Sequence, residues 1–336
     1  MNEIKLVGID LAKHSYQIHG VNQNHEEVFN KRFSRIRLIE FVANLNPCMV
    51  AMEACSGAHY MGRKFRELGH NVKLLPPQYV KPFVFTNKDD EADARAIAEA
   101  ATKKAIHSVP IKEAFHQDIQ FVHKIRDRFV KNKNALSNEI RAMLFEYGIV
   151  IPRGDHALNQ KMVSLISDDR LSTIAKDSLS TLFKEFHSAI IGIREQEKRL
   201  REFASKHPRC KALLKIPGVG LITATALVAS IPDPSVFKNG RALSAWLGLV
   251  PKHTGTGGKN KNLSMSKRGD RYLRYLLIHG ARAVLRTGKH KQDSLNQWCQ
   301  ALIERRGYNK ACVAMANKNA RIIWAIMKTG EEYRSP

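Results

Sequence analysis

The prediction of the fold starts from one acid-rich stretch that runs into alanines. It reads Lys88-Asp89-Asp90-Glu91-Ala92-Asp93-Ala94-Arg95-Ala96-Ile97-Ala98-Glu99-Ala100. Carboxylates in a first turn suit the positive end of the helix dipole, so we predict that a helix begins here. Asp90 and Asp93 are three residues apart and therefore share one face of that helix. Taken alone, the stretch is more typical of a capped helix on a solvated surface than of a metal site.

Two further carboxylates change that interpretation, because each closes an apolar run. Asp10 follows the run 4–9, and Glu53 follows the run 48–52. Runs of this length bounded by turn-forming residues predict buried strands. An acid at the end of a core strand is costly unless it is paired or holds a metal. With Asp90 and Asp93, these acids supply the oxygen ligands that a site for two Mg²⁺ ions needs, and Mn²⁺ can take the same ligands.

The order of elements in the first hundred residues predicts an α/β domain. Short turns between the first three predicted strands favour an antiparallel meander. A helix, a strand, a second helix, a fifth strand and the acidic helix follow. This is the order of a ribonuclease-H-like (RuvC-like) fold, whose metal-binding acids lie on the first strand, the fourth strand and a late helix. The predicted strands are 4–10, 15–21, 27–33, 48–53 and 71–75, and the predicted helices are about 35–45, 58–68 and 88–100.

The charge of the chain is large and unevenly distributed. The 336 residues carry a net charge of +24 and are enough for about two or three domains. Residues 1–100 hold 13 Lys/Arg and 12 Asp/Glu, whereas the remainder holds 42 and 19. A neutral front and a strongly basic remainder predict a polyanionic partner, with nucleic acid favoured over a membrane.

The cysteines and the apolar runs predict a cytoplasmic protein. Five cysteines form no C-x-x-C pair, which favours reduced core thiols over disulfides or a zinc site. No apolar run reaches about 18 residues, and the N-terminus lacks a signal pattern.

Residues 113–207 are predicted to form a helical domain. Apolar residues recur every seven positions in two segments, which favours an antiparallel hairpin or an intermolecular coiled coil over an ordinary bundle core. We therefore expect a homodimer or homotetramer. The basic residues of the first segment predict a phosphate-facing surface. The heptad positions are Val122, Phe129, Leu136, Met143, Leu179, Phe186, Ile193 and Leu200, and the basic residues are Arg126, Arg128, Lys131 and Lys133.

Residues 208–336 are predicted to form a mostly α-helical domain that contacts nucleic acid. Residues 213–227 have the form of a helix-hairpin-helix motif, in which a Gly-x-Gly turn lets a phosphate approach backbone N–H groups. The residues 251–259 are predicted to be a polar loop, and helices are predicted from 266–270 onward and over 308–327. The expected nucleic-acid contacts are Lys215, Gly218, Gly220, Lys259, Ser266, Lys267, Arg268, Arg271 and Arg274.

Several short motifs, taken together, resemble one known family over nearly the whole chain. Gly-Ile-Asp-Leu-Ala-Lys (8–13), Met-Glu-Ala-Cys-Ser-Gly (52–57) and Lys-Asp-Asp-Glu-Ala-Asp-Ala (88–94) resemble the acidic tetrad of the DEDD transposases. These are insertion-sequence recombinases related to the Piv-type DNA invertases, some of them guided by a bridge RNA. Ile-Pro-Gly-Val-Gly (216–220), Trp-Leu-Gly-Leu-Val-Pro (246–251), the string 266–274 and Tyr-Asn-Lys-Ala (308–311) resemble the same family's C-terminal transposase domain.

The resemblance implies a reaction and its residues. It implies a RuvC-like domain over 1–112 with Asp10, Glu53, Asp90 and Asp93 as Mg²⁺ ligands. It also implies a transposase domain over 208–336 that supplies a hydroxyl nucleophile, a covalent protein–DNA intermediate and a noncoding guide RNA. Where relatives commonly carry serine, this chain has Thr256, whose β-methyl group stiffens the side chain. Ser264 and Ser266 are the alternative nucleophiles.

Three other functions are compatible with parts of the sequence. A RuvC-like resolvase would hydrolyse DNA with water, but it has no use for the long C-terminal region and its hydroxyl-bearing loop. A sugar-kinase-like phosphotransferase would need glycine-rich phosphate loops, and none occurs before residue 148. A nucleic-acid-binding protein with an inactive site is disfavoured by the intact set of four acids.

Overall fold

The computed structural model describes residues 3–12, 15–85, 89–165, 168–256 and 259–334. The chain divides into two compact units, residues 1–114 and 115–336. The finer division into 1–112, 113–207 and 208–336 remains a prediction.

The first unit is built on a five-stranded mixed sheet with the order β3-β2-β1-β4-β5. β1, β2 and β3 form the predicted antiparallel meander, while β4 pairs in parallel with both β1 and β5. The mixed sheet is consistent with the RNase H-like fold expected from the sequence. The strands are β1 (Leu6–Leu11), β2 (Tyr16–Val21), β3 (Glu27–Phe33), β4 (Met49–Glu53) and β5 (Asn71–Leu75).

Helices cover both faces of this sheet. One face packs against α1 and α2 through a core that includes Val7, Ile9 and Phe65. The other face packs against α4 through Leu6, Ala51 and Ile97. Alternate residues of β1 and β4 therefore serve two cores, because successive side chains of a strand point to opposite faces. The helices are α1 (Arg35–Ala43), α2 (Ala58–Glu67), α3 (Pro77–Val80) and α4 (Asp90–Thr102).

The second unit is mostly helical. α5, α6 and α7 share one core, and the helices from α8 to α13 share a second core around the buried face of α13. α6 and α12 were not predicted from the sequence. The helices are α5 (Ala114–Glu146), α6 (Asp155–Leu165), α7 (Thr173–Lys206), α8 (Pro208–Leu213), α9 (Leu221–Ser230), α10 (Gly240–Trp246), α11 (Arg271–Thr287), α12 (Ser294–Arg306) and α13 (Tyr308–Thr329).

Two strands lie where the sequence predicted a polar loop, so that prediction was wrong. β6 (Pro251–Thr256) and β7 (Lys259–Met265) pair as an antiparallel hairpin. Neither strand alternates apolar and polar residues, so periodicity did not reveal them. The signal was the Gly-Gly pair at 257–258, since two glycines between short runs favour a two-residue hairpin turn. Those two residues lie outside the described part of the chain.

The two long helices α5 and α7 lie side by side. The ring of Phe129 packs against Gly192, where an added Cβ would lie 2.7 Å from the ring. Arg126 pairs with Glu197, five residues further along α7. As residue numbers rise on α5 they fall on α7, which is the direction of an antiparallel pair. The intermolecular coiled coil remains a prediction.

All five cysteines are free thiols, and four of them are buried. None of the helices in the described ranges combines the length and the apolar character that a membrane span requires.

Candidate active site and nucleic-acid surface

The pairing of β1 with β4 brings two of the four predicted acids together. Ile9 is the register partner of Met52 in this parallel pair, so Asp10 and Glu53 follow at the same edge of the sheet. Both side chains are half-buried. Residues an even number of positions apart on a strand point to the same face. Asp10 therefore shares a face with Leu6, and Glu53 with Ala51, and this is the face that packs against α4.

Gly8 lets α4 approach close enough to add the other two acids. A Cβ built on Gly8 would lie 2.3 Å from the carbonyl oxygen of Ala94 and 2.7 Å from the backbone nitrogen of Ala98. Backbone cannot yield at such distances as a flexible side chain can, so any larger residue would push α4 away from β1. In the Gly-x-Asp pattern, Gly8 allows the close contact with α4, and Asp10, two residues later, points to the same face of the sheet.

The electrostatics of Asp10 link all four acids. The pKa of Asp10 is raised to about 6, first by burial and then by the negative charges of Asp93, Asp90 and Glu53. The backbone N–H of Leu11 opposes this shift in part. Like charges near a carboxyl group disfavour its ionised form. Asp93, Asp90 and Glu53 therefore each lie near enough to Asp10 to affect its ionisation, and the common metal site remains a prediction.

The N-terminus of α4 orients its acids differently from one another. Asp89 caps the helix by accepting a hydrogen bond of 2.6 Å from the backbone N–H of Ala92. The Asp90 carboxylate lies 3.4 Å from the guanidinium of Arg32, and both side chains are exposed. Lys88 lies outside the described residues. No sequence pattern singles out Arg32, because its position beside α4 depends on the order of the strands.

The four acids offer the type of ligand atom that a divalent cation binds. Four carboxylates offer only oxygen ligands, which Mg²⁺ and Mn²⁺ prefer, and their mutual repulsion at Asp10 is the situation that a dication relieves. Across the described ranges, no three His, Cys, Asp or Glu side chains are gathered closely enough to hold a metal ion.

The predicted nucleophile lies on the β6–β7 hairpin. The backbone of Thr256 pairs with that of Lys259 at the end of the hairpin, whereas the side chains of both residues lie outside the described part. Ser264 is exposed on β7. The Oγ of Ser266 is buried and has no hydrogen-bond partner among the described atoms.

The loop that follows the hairpin is held in a defined shape. Lys267 has a φ of 56°, a region that non-glycine residues seldom adopt. Gly269 packs against the backbone of Trp246, where an added Cβ would lie 1.7 Å from the carbonyl oxygen. Lys267 and Arg268 are exposed at this loop. Two cationic side chains are thus presented from a rigid turn.

Arg274 has a different role from the one that the sequence suggested. It is buried, and its guanidinium donates hydrogen bonds to the carbonyl oxygens of Leu247, at 3.1 Å, and Arg268, at 2.9 Å. A buried guanidinium that is bonded to backbone holds the loop in place and cannot face a phosphate. We therefore remove Arg274 from the expected nucleic-acid contacts. Arg271, at the exposed start of α11, stays among them.

The predicted helix-hairpin-helix turn has two dissimilar glycines. Gly218 has a φ of +82° and packs against the backbone of Gly280 on α11. Gly220 has an ordinary φ of −91°, is exposed at the N-terminus of α9, and has no neighbour within 4 Å of an added Cβ. Of the two, only Gly220 leaves room for a phosphate. Lys215, just before the turn, pairs with Glu332 at the surface.

The cations predicted on α5 are partly neutralised. Arg126 forms a half-buried ion pair with Glu197 at 2.8 Å, while Lys131 pairs with Asp127 and Lys133 with Asp155, each at 2.6 Å. Arg128 is exposed, and no acid of the described residues lies within ion-pair distance of it. Arg128 is consequently the strongest of these four candidates for a phosphate contact.

The fold and the acids together define a class of protein. A mixed sheet with acids at the ends of two neighbouring strands and on a packed helix is consistent with an RNase H-like domain, here joined to a basic, mostly helical unit.

Comparison with known proteins identifies the family. The DEDD transposase model of the IS110 type, described as "Transposase", matches residues 7–149, and the model described as "Transposase IS116/IS110/IS902 family" matches residues 210–296. A probable family 20 transposase of Pseudomonas aeruginosa is 41% identical over 98% of both chains. The transposase of insertion sequence element IS1111A from Coxiella burnetii is 42% identical over 99% of this chain and 92% of its own. The transposase of element IS1328 from Yersinia enterocolitica is 37% identical over 98% of both. The chain belongs to the IS116/IS110/IS902 family of insertion-sequence transposases.

The family membership fixes the general activity. Transposases are enzymes that cut and rejoin DNA, and the DEDD type typically uses a divalent metal ion.

Proposed function

We propose that this transposase excises and integrates an insertion sequence with an Asp10, Glu53, Asp90 and Asp93 site that holds Mg²⁺, or Mn²⁺ in its place. The observation that carries the proposal is geometric: the parallel pairing of β1 with β4 puts Asp10 and Glu53 at one edge of the sheet, and Gly8 lets α4, which bears Asp90 and Asp93, pack against β1. The raised pKa of Asp10 agrees with this placement, because nearby negative charges disfavour an ionised carboxyl group. When bound, two such ions would act as Lewis acids on the oxygens of a phosphodiester.

The proposed nucleophile is the hydroxyl group of Thr256. Its attack would form a bond between Oγ and phosphorus while a P–O bond of the DNA strand breaks and a sugar hydroxyl group is released. The proton lost from Thr256 balances the proton that the leaving oxygen gains. The position of Thr256 at the end of an exposed hairpin supports this role, since a strand end can enter a DNA groove without moving the core.

Exposed cations of the second unit support a nucleic-acid surface for both DNA and a noncoding guide RNA. Lys267, Arg268 and Arg271 lie on or beside the same loop, and Arg128 lies on α5. Gly220 would add the backbone N–H groups of the α9 N-terminus. Lys215 and Lys259 complete the proposed set, whereas Gly218 acts by shaping the turn.

The experiment that tests this function is a search for the covalent adduct. Purified protein is incubated with Mg²⁺, supercoiled DNA that carries the element's ends, and its co-purifying RNA. We expect an adduct for wild type and for Thr256→Ser, and none for Thr256→Ala, while nucleic-acid binding stays unchanged in all three. Ser264→Ala and Ser266→Ala serve as matched controls and should form the adduct.

Two outcomes would contradict the proposal in different ways. An adduct that survives in Thr256→Ala but is lost in a serine variant would move the nucleophile to that serine. DNA cleavage without any adduct would favour the alternative function, a RuvC-like resolvase that uses water.

A further inference from the structure

A groove in the second unit lies beside the hairpin that carries Thr256. Its volume is about 1060 Å³, which is ample for a ligand of several rings. One wall is formed by the hairpin, including Leu263 and Met265, and the other by α13, including Val313 and Ile322. The same hairpin carries the proposed nucleophile at its other end. Thr256 lies five residues along β6 from Pro251, which lines the groove, or roughly 17 Å at the rise of a β-strand.

The charged residues that line this groove are all cationic. They are Lys310, Lys318 and Arg321, spread along roughly 16 Å of α13 at the rise of an α-helix. No described acidic residue lies within ion-pair distance of any of the three. The groove thus combines apolar side chains with a row of cations along α13. This combination suits a ligand that has flat apolar faces and a row of negative charges.

Lys318 is held in position without being neutralised. Its ammonium group lies 4.8 Å from the centre of the Trp298 ring, and Trp298 also lines the groove. A cation–π contact orients the charge but leaves it available to an anion, unlike an ion pair with a carboxylate.

We propose that this groove binds an unpaired segment of the DNA strand on which the transposase acts. The bases would lie against Leu263, Val313 and Ile322, and the phosphates would face Lys310, Lys318 and Arg321. The bases must be unpaired, because a base inside a duplex has its faces stacked and its edges bonded. DNA is the occupant because the groove and Thr256 share one hairpin, and the proposal rests on the proposed function in that respect.

The first test compares two triple variants that each lose three positive charges. Lys310→Gln/Lys318→Gln/Arg321→Gln removes the cations of the groove, and Arg305→Gln/Arg306→Gln/Lys328→Gln removes three exposed cations of α12 and α13 outside it. Binding of a short fluorescein-labelled oligothymidylate to the full chain is measured by anisotropy over a range of salt concentrations. Lost single-strand contacts reduce the slope of log K against log salt by about 0.7 each, so we expect a reduction of about 2 for the groove variant. The control should stay near wild type.

A second variant tests the apolar wall without altering the cations. Leu263 is exposed on β7, so Leu263→Glu should fold normally and repel phosphates. Val236→Glu places the same charge at a comparably exposed position away from the groove. We expect oligothymidylate to bind roughly fivefold more weakly to Leu263→Glu than to Val236→Glu, with no such difference for a blunt duplex.

Each contrary result has a distinct meaning. Equal losses of oligothymidylate affinity in the groove and control variants would overturn the proposal. The cations would then act only through the net charge of the protein and not through contacts in the groove. The same titrations are repeated with labelled oligouridylate, and a loss of affinity confined to that ligand would make the occupant RNA. A changed oligomeric state with unchanged DNA binding would make the groove an interface between copies. If wild type bound no nucleic acid, the proposed function itself would fail, whereas wild-type binding with unaffected groove variants would refute the groove alone.

Discussion

At the scale of single residues, Gly8 determines how closely α4 can approach β1. Its missing side chain allows the backbone of α4 to lie against β1, so that Asp90 and Asp93 come near Asp10. Arg274 is a comparable case, since one buried guanidinium fixes the turn that presents Lys267 and Arg268. Neither residue needs to touch a substrate in order to shape the site.

We predict that Gly8→Ala separates strand transfer from folding. The added methyl group would meet the backbone of Ala94 and Ala98, and relief of that overlap requires α4 to shift. We expect a loss of stability of roughly 1–3 kcal/mol, measured by chemical denaturation, together with loss of the covalent adduct. Gly69→Ala is the control, because its left-handed φ of +89° strains the backbone but leaves open space around the Cβ. Retention of full activity by a folded Gly8→Ala protein would refute the prediction.

At the scale of elements, a buried histidine joins three helices of the second unit. Thr225 on α9 donates its hydroxyl hydrogen to the carbonyl oxygen of Leu221, so its oxygen accepts a hydrogen bond from His123 Nε2, 3.0 Å away on α5. The other ring nitrogen, Nδ1, then accepts from the hydroxyl of Tyr272 on α11 at 3.1 Å. In this pattern of bonds the imidazole is neutral, and the low pKa of His123 favours that form.

The pH dependence of stability should report this histidine. Burial, with the charge of Arg126 as a lesser cause, lowers the pKa of His123 from 6.5 to about 4. The unfolded chain binds the proton more readily, so the stabilisation is present above pH 6.5 and is lost as the pH falls towards 4. The full contribution is roughly 3 kcal/mol.

Denaturation of His123→Gln across pH 4–7 tests this prediction. The glutamine cannot titrate, so the fall in stability between pH 6.5 and 4 should be smaller in this variant than in wild type. His279→Gln, which changes an exposed histidine of α11, should keep the wild-type dependence. Parallel curves for wild type and His123→Gln would count against the assigned bond pattern.

At the scale of the whole molecule, the basic second unit presents apolar side chains that the chain itself does not cover. Phe121 and Ile125 are exposed one turn apart on α5, and Ile191 is exposed on α7. Large exposed apolar side chains on helices are typical of an interface. We propose that Phe121 and Ile125 contribute to the interface of the homodimer or homotetramer that the heptads predict.

We predict that Phe121→Glu/Ile125→Glu weakens self-association at least about tenfold, because two charges would be buried at the interface. Light scattering over a dilution series measures the change. Phe85→Glu/Val28→Glu places two charges at exposed apolar positions of the first unit and should leave association unchanged. A monomeric wild type, with and without RNA, would contradict the prediction.

The sequence by itself determined most of the first unit and the positions of its acids. Apolar runs closed by Asp10 and Glu53 and an acid-rich helix start are local patterns, and local patterns predict strands and helix ends well. The predicted fifth strand, 71–75, and the third, 27–33, have the bounds that the structure shows. The general function followed from the same motifs, because the acids recur at the family's spacing.

Only the tertiary structure decided which side chains are available. Arg126, Arg128 and Arg274 look alike in the sequence, yet the first pairs with Glu197, the second stays exposed, and the third is buried against two carbonyl oxygens. The β6–β7 hairpin escaped prediction because its strands lack a sustained alternation of apolar and polar residues, although the Gly-Gly pair at 257–258 was a local signal for it. The different environments of the three arginines depend on contacts with residues elsewhere in the chain, and such contacts leave no period or composition that a short stretch of sequence could reveal.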